Sequence, residues 1–134
     1  MTIANFNDFL QAARSEALPQ RLLFVFADVE LPDDCTPHER AQFEAGQGGA
    51  LVPKMCVDKS PDELPSFDAL VSEATQFGQN WGMVFAAAMS GTAQKPPTST
   101  DADKPLQDMV EAIKQGKINA YIPFDKSGIP VQFG

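Results

Sequence analysis

Two stretches of this chain, residues 22–27 (LLFVFA) and 83–89 (MVFAAAM), are apolar at every position, with no charge and no alternation. A strand that faces water on one side alternates apolar and polar residues, so an unbroken run of this length is the pattern of a strand covered on both faces. The pair predicts two interior strands of one sheet, with helices above and below. Segments of helical periodicity stand between and around them, and the expected class is α/β, bordering on α+β.

The chain has 134 residues, the size of one domain able to hide about two thirds of its unfolded surface in a single core. Ten Lys and Arg stand against eighteen Asp and Glu, a formal charge of −8. Such a field repels phosphate backbones and anionic headgroups, so neither nucleic acid nor a membrane surface is the expected partner. The opening MTIANFNDFL has no basic region ahead of an unbroken apolar run, and nothing in the chain approaches the roughly 18 apolar residues of a membrane span. A monomeric cytoplasmic protein is expected, with Cys35 and Cys56 as reduced thiols.

Along the chain, Asn5 caps a helix over 6–17 that Leu18-Pro19 stops. The first apolar run lies in a strand over 21–29. An acidic loop then leads to Thr36-Pro37-His38-Glu39, where the threonine and glutamate satisfy each other's backbone amides at the start of a helix over 37–45. That helix has a thin apolar face and belongs on the surface. Gly46-Gln47-Gly48-Gly49 turns into a strand over 50–58, which Pro53 marks as an edge or a bulge because proline cannot donate to a ladder. Ser60 and Glu63 repeat the capping logic. After Pro65, the residues Phe67, Leu70, Val71, Ala74 and Phe77 form an apolar stripe that ends at Gly78. Trp81 leads into the second apolar run. A flexible loop is expected over 90–103, then a helix with Pro105 near its first turn and Leu106, Met109, Val110 and Ile113 on one face. The tail alternates apolar residues on both sides of Asp125-Lys126-Ser127-Gly128, the pattern of an antiparallel hairpin. The expected order is α-β-α-β-α-β-α-β-β in a single domain: a five-stranded mixed sheet with helices packed on it.

No catalytic set is complete. His38 is the only histidine and sits on the first turn of a surface helix, no G-x-S-x-G elbow is present, and the glycines at 46, 48 and 49 precede a strand where phosphate cradling needs a helix. Asp33, Asp34, Cys35, His38 and Glu39 gather ligand-type side chains, but without recognised metal spacing and with Glu39 already capping, so no metal and no cofactor is expected. With parallel strands, Asp28, Asp58 and Ser90-Gly91-Thr92 would converge at the carboxyl edge of the sheet, where open α/β sheets hold ligands. These five residues are the candidate ligand site, and Trp81 and Tyr121 the candidate interaction surface. The leading expectation is a non-enzymatic module that binds a protein partner or a small polar ligand. The alternative is a small enzyme or metal-dependent binding protein using Asp28 and Asp58.

The segments RLLFVFADVELPDD, FEAGQGGALVPKMCVDKSPDELPSF, QFGQNW and YIPFDKSGIPVQFG resemble a family of short proteobacterial proteins that commonly carry the label ribonucleotide reductase subunit alpha. The likeness covers nearly the whole chain and brings no catalytic residue to it. Radical reduction of a ribonucleotide uses a thiyl cysteine and a separate redox pair, and this chain has two cysteines. What the resemblance implies is therefore at most an accessory role beside a reductase.

Overall fold

A computed structural model describes residues 3–30, 36–44, 50–78 and 80–131, with Phe43 by its backbone alone. The elements are α1 (Phe6–Arg14), β1 (Gln20–Glu30), α2 (Pro37–Glu44), β2 (Ala50–Lys59), α3 (Phe67–Gln76), β3 (Met83–Ser90), α4 (Ser99–Lys114) and β4 (Ile122–Asp125), with a 3-10 turn at Pro61–Glu63. The four strands form one sheet in the order β2-β1-β3-β4, and every pairing is antiparallel. This corrects the expected five-stranded mixed sheet. The sequence pattern reported coverage and not direction: a strand with helices on both faces reads as continuously apolar whichever way its neighbours run.

The apolar run of β1 is buried from Leu22 to Ala27 and divides between two cores. On one face Leu22, Phe24 and Phe26, with Val84, Ala86 and Phe124, meet α1, α3, Leu64 and Trp81. On the other, Leu23, Val25, Ala27 and Phe85 meet Ala102, Leu106, Met109 and Ile113 of α4. The first core is built around Phe6, whose ring centroid lies 4.8 Å from Phe67, 5.1 Å from Phe124, 5.5 Å from Phe24 and 5.8 Å from Phe9. The run of β3 is interior only at Val84, Phe85 and Ala86. Beyond Ala86 the strand pairs with β1 on one side and, among the described residues, with no strand on the other, because β4 ends its pairing at Ile122.

Side-chain caps set the helix starts. Asn5 Oδ1 accepts from the Asp8 amide at 2.9 Å, and Ser66 Oγ from the Ala69 amide at 3.2 Å. Thr36 and Glu39 exchange bonds in both directions as their spacing predicts, at 3.1 and 3.0 Å, which holds the Glu39 carboxyl below its usual range. Thr98 and Asp101 form the same reciprocal box at 3.1 and 2.9 Å. That box starts α4 at Ser99, upstream of Pro105, which lies inside the helix. The loop expected over 90–103 is therefore confined to 91–98, where the Gly91 amide donates to the Pro19 carbonyl at 2.9 Å and the backbones of Thr92 and Lys95 bond each other. A Cβ on Gly91 would lie 2.4 Å from the Lys95 carbonyl oxygen, so the turn closes only around glycine.

The tail is shorter in strand than its alternation suggests. Ile118 to Tyr121 forms a turn closed by a 3.1 Å bond, and among the described residues the return past Gly128 makes one bridge, Phe124 with Pro130, flanked by bonds from the Asp125 amide to the Ile129 carbonyl and from the Val131 amide to the Pro123 carbonyl, both 2.9 Å. Gly128 has the positive φ, 79°, expected of it, and its carbonyl accepts from the Phe6 amide at 2.8 Å, docking the turn on the phenylalanine cluster.

Candidate functional site

Antiparallel pairing separates the expected ligand residues. Asp28 faces Val52 and Asp58 faces Leu23, so the two aspartates lie five β1 positions apart, about 17 Å along the strand. They do not share a cleft. Asp28 Oδ1 accepts from the Val29 amide at 2.9 Å and lies where a Cβ on Gly82 would come within 3.0 Å of it. Ser90, Gly91 and Thr92 do lie at the Asp58 end, since Ser90 pairs with Gln20. Their polar groups are used internally: Gln20 Nε2 donates to Ser90 Oγ at 2.7 Å, Gly91 bonds Pro19, and Thr92 bonds Lys95.

What Asp58 does meet is Arg21, the charge at the start of the covered run. Arg21 Nε donates to Asp58 Oδ2 at 2.5 Å and Nη2 to Ser99 Oγ at 2.9 Å, while Ser99 Oγ donates to the same Asp58 oxygen at 2.5 Å. Glu63 Oε1 stands 3.9 Å from Nη2. The Arg21 and Asp58 side chains are 14% and 17% exposed. Burial pushes the Asp58 carboxyl up, but the bonds from Ser99 and Arg21 and the guanidinium charge outweigh it and hold the group below the usual carboxylate range. A carboxylate held ionised by a guanidinium and a hydroxyl is a poor general base, and a serine hydroxyl committed to it is a poor nucleophile. The cluster's evident effect is to join three elements, β1, β2 and the first turn of α4.

Trp81 is a core residue, 5% exposed, packed edge-on to Phe26 at 4.9 Å with Lys126 Nζ 5.3 Å from its ring centroid. Tyr121 is half-buried against the α4 core. The expected interaction surface at these two residues is thus largely interior. The open surface lies at the other edge of the sheet. Strand β2 pairs with β1 alone among the described residues, and it is flanked by a groove on each face. Beside α4, a groove of about 360 Å³ is lined by Cys56, Leu106, Gln107 and Val110, with Asp103 and Glu111 at its rim. Beside α3, a smaller one of about 60 Å³ is lined by Met55, Val57, Leu70 and Ala74. Phe77, which the apolar stripe suggests as core, is the C-cap of α3 and stands 64% exposed at this second groove. Pro53 signals the edge correctly, and a register shift opposite Phe26 and Ala27 supplies the bulge.

Among the described residues no group of three or more His, Cys, Asp or Glu could hold a metal ion, and no helix is long and apolar enough to cross a membrane. Residues 33–35 of the acidic loop and the glycines at 46, 48 and 49 lie outside the described residues, while His38 and Glu39 are exposed on α2. Compared with known proteins, the chain matches no family model, no curated protein and no solved structure.

Proposed function

We propose that this chain is a non-enzymatic, cytoplasmic protein-binding module that engages its partner along the outer edge of β2. The observation that carries this reading is the coincidence, over residues 55–59, of a strand edge unpaired among the described residues with an apolar groove on each face and the exposed Phe77 ring beside one of them. Open strand edges are liabilities that globular proteins otherwise cover, and an exposed ring beside apolar grooves extends them into one patch. The enzymatic alternative lacks its geometry, since Asp28 and Asp58 are at opposite ends of β1 and Asp58 is bound up with Arg21 and Ser99. The family resemblance makes a ribonucleotide reductase subunit one partner to look for.

The test uses a benzophenone attached to Cys56 in a Cys35→Ser background, with the same probe on Asn119→Cys, at the β4 side of the sheet, in a background lacking both native thiols. Photolysis in native cytosol should yield a discrete adduct from Cys56, absent from position 119 and abolished by Phe77→Asp. Equal labelling from both positions, or none from Cys56, would refute the reading.

A further inference from the structure

Resting on that reading, we infer the chemistry of the occupant: a basic, extended segment of a partner protein that adds to the sheet as a fifth strand along residues 54–58. Strand addition satisfies an open edge through main-chain bonds and draws specificity from the pockets that receive alternate side chains. The edge itself selects the window. Its first half is defended by Pro53 and by the bulge, while the Lys54 ammonium is taken up by Glu30. These are the devices that keep strands from pairing further, and from Met55 onward the edge has neither proline nor bulge.

The pleat fixes which groove each added residue meets. Met55 and Val57 belong to the face packed against α3, whereas Cys56, opposite Val25, and Asp58, opposite Leu23, belong to the α4 face. Successive residues of an added strand therefore enter the two grooves in turn. On the α4 side, Asp103 and Glu111 are eight residues apart, about 12 Å along the helix, with Leu106 and Val110 between them. Residues i and i+4 of a strand are separated by about 13 Å, so two cationic side chains four positions apart match the two rim carboxylates. With the residue between them over Cys56, Leu106 and Val110, the two cations stand beside Lys54, whose charge Glu30 neutralises, and Asp58, so the added segment spans residues 54–58. Asp103 makes no ion pair among the described residues, and Glu111 has only Lys114 at 3.3 Å. On the α3 side the intervening residues meet Met55, Val57 and Phe77, where the Glu73 carboxylate is already paired with Lys59 at 2.9 Å, and should be apolar. The recognised pattern is a Lys or Arg, three apolar residues, then a second Lys or Arg. A second copy of this chain fits poorly, since each copy carries a formal charge of −8.

Two peptides test this, acetyl-SRVVVRS-amide and its charge-reversed form acetyl-SEVVVES-amide, each titrated into the whole protein at low salt with backbone amide spectra recorded. The basic peptide should bind at least tenfold more tightly, should shift the amides of residues 54–59, and should lose its advantage as salt rises. Asp103→Asn with Glu111→Gln should weaken it several-fold without changing the melting temperature. Equal binding of both peptides, shifts confined to the β4 edge, or a dimer at micromolar concentration with residues 55–59 already protected would each overturn the proposal, the last in favour of a second copy. If neither peptide binds while the Cys56 probe still traps a partner, this occupant is wrong and the binding reading stands. If the probe also traps nothing, both fall.

Discussion

Replacing Arg21 by Met, Asp58 by Leu, and then both together separates an anchoring role for this cluster from any merely decorative one. Arg21 makes one 2.5 Å bond to a carboxylate and one 2.9 Å bond to Ser99, with both charged side chains less than a fifth exposed. Hydrogen bonds to charged groups contribute about 1.5–3 kcal/mol, exposed ion pairs less than about 1, and stripping one partner from a fully buried pair costs about 3–5. Here each survivor keeps company, Arg21 with Ser99 and Glu63, Asp58 with Ser99, so each single change should cost about 2 kcal/mol. For a domain of this size that corresponds to a fall of about 6–10 °C in melting temperature. The double variant leaves no uncompensated charge and should lie within about 1 kcal/mol of the wild type. Urea melts at pH 7 supply all four corners of the cycle. The pH dependence has a definite sign. Because the folded Asp58 pKa is lowered below its ordinary value of 3.8, its contribution is complete above that pH and is lost as pH falls through the lower folded value. The gap between wild type and Asp58→Asn should therefore close in acid. Single costs that add to about 4 kcal/mol in the double variant, or a gap that persists unchanged to pH 2, would refute the assignment.

Three further outcomes follow from the packing. Gly91→Ala forces a methyl against the Lys95 carbonyl oxygen, 2.4 Å away, and should lower stability by about 2 kcal/mol or more in thermal melts, although the position is only half-buried. Phe6→Ala empties the centre of the phenylalanine cluster and should cost about 3–5 kcal/mol by urea denaturation. Phe77→Asp, at an exposed helix end, should change stability by less than about 0.5 kcal/mol in the same assay while removing the Cys56 photoadduct.

Local chemistry was legible where a residue's effect is confined to its own turn. The Thr36 and Glu39 box, the Asn5 cap, the positive φ of Gly128 and the edge character announced by Pro53 are all of this kind. Strand direction was not, because burial on both faces erases the alternation that would otherwise accompany an antiparallel sheet. The error propagated to the site: Asp28 and Asp58 share an edge only if β1 and β2 are parallel. The Thr98 and Asp101 box lies inside a polar, proline-containing stretch that reads as loop, and Pro105, whose type suits the first turn of a helix, is tolerated within one. The signal that could have located the polar cluster is Arg21 itself. A guanidinium adjoining a fully covered strand needs a carboxylate on a neighbouring strand or helix, and a carboxylate at the far end of the following strand satisfies that need only in an antiparallel pair.

The cluster and the open edge are mechanically connected, and the connection favours binding over catalysis. Ser99 ties the first turn of α4 to Asp58 on β2 and Arg21 on β1, while Leu106, Met109 and Ile113 seat the rest of the helix on the sheet. With its amino end held over β2, α4 presents Leu106 and Val110 beside Cys56, and the groove between helix and edge strand is what remains open. Polar groups committed to fixing a helix are unavailable for proton transfer, but they make the groove a preformed surface, which lowers the ordering cost that a partner meets on binding. On the proposed binding reading, Asp58 would act on recognition through the position of α4. Substituting it should loosen the groove and weaken the basic peptide, even though the carboxylate lies at the end of the binding window and is already paired with Arg21.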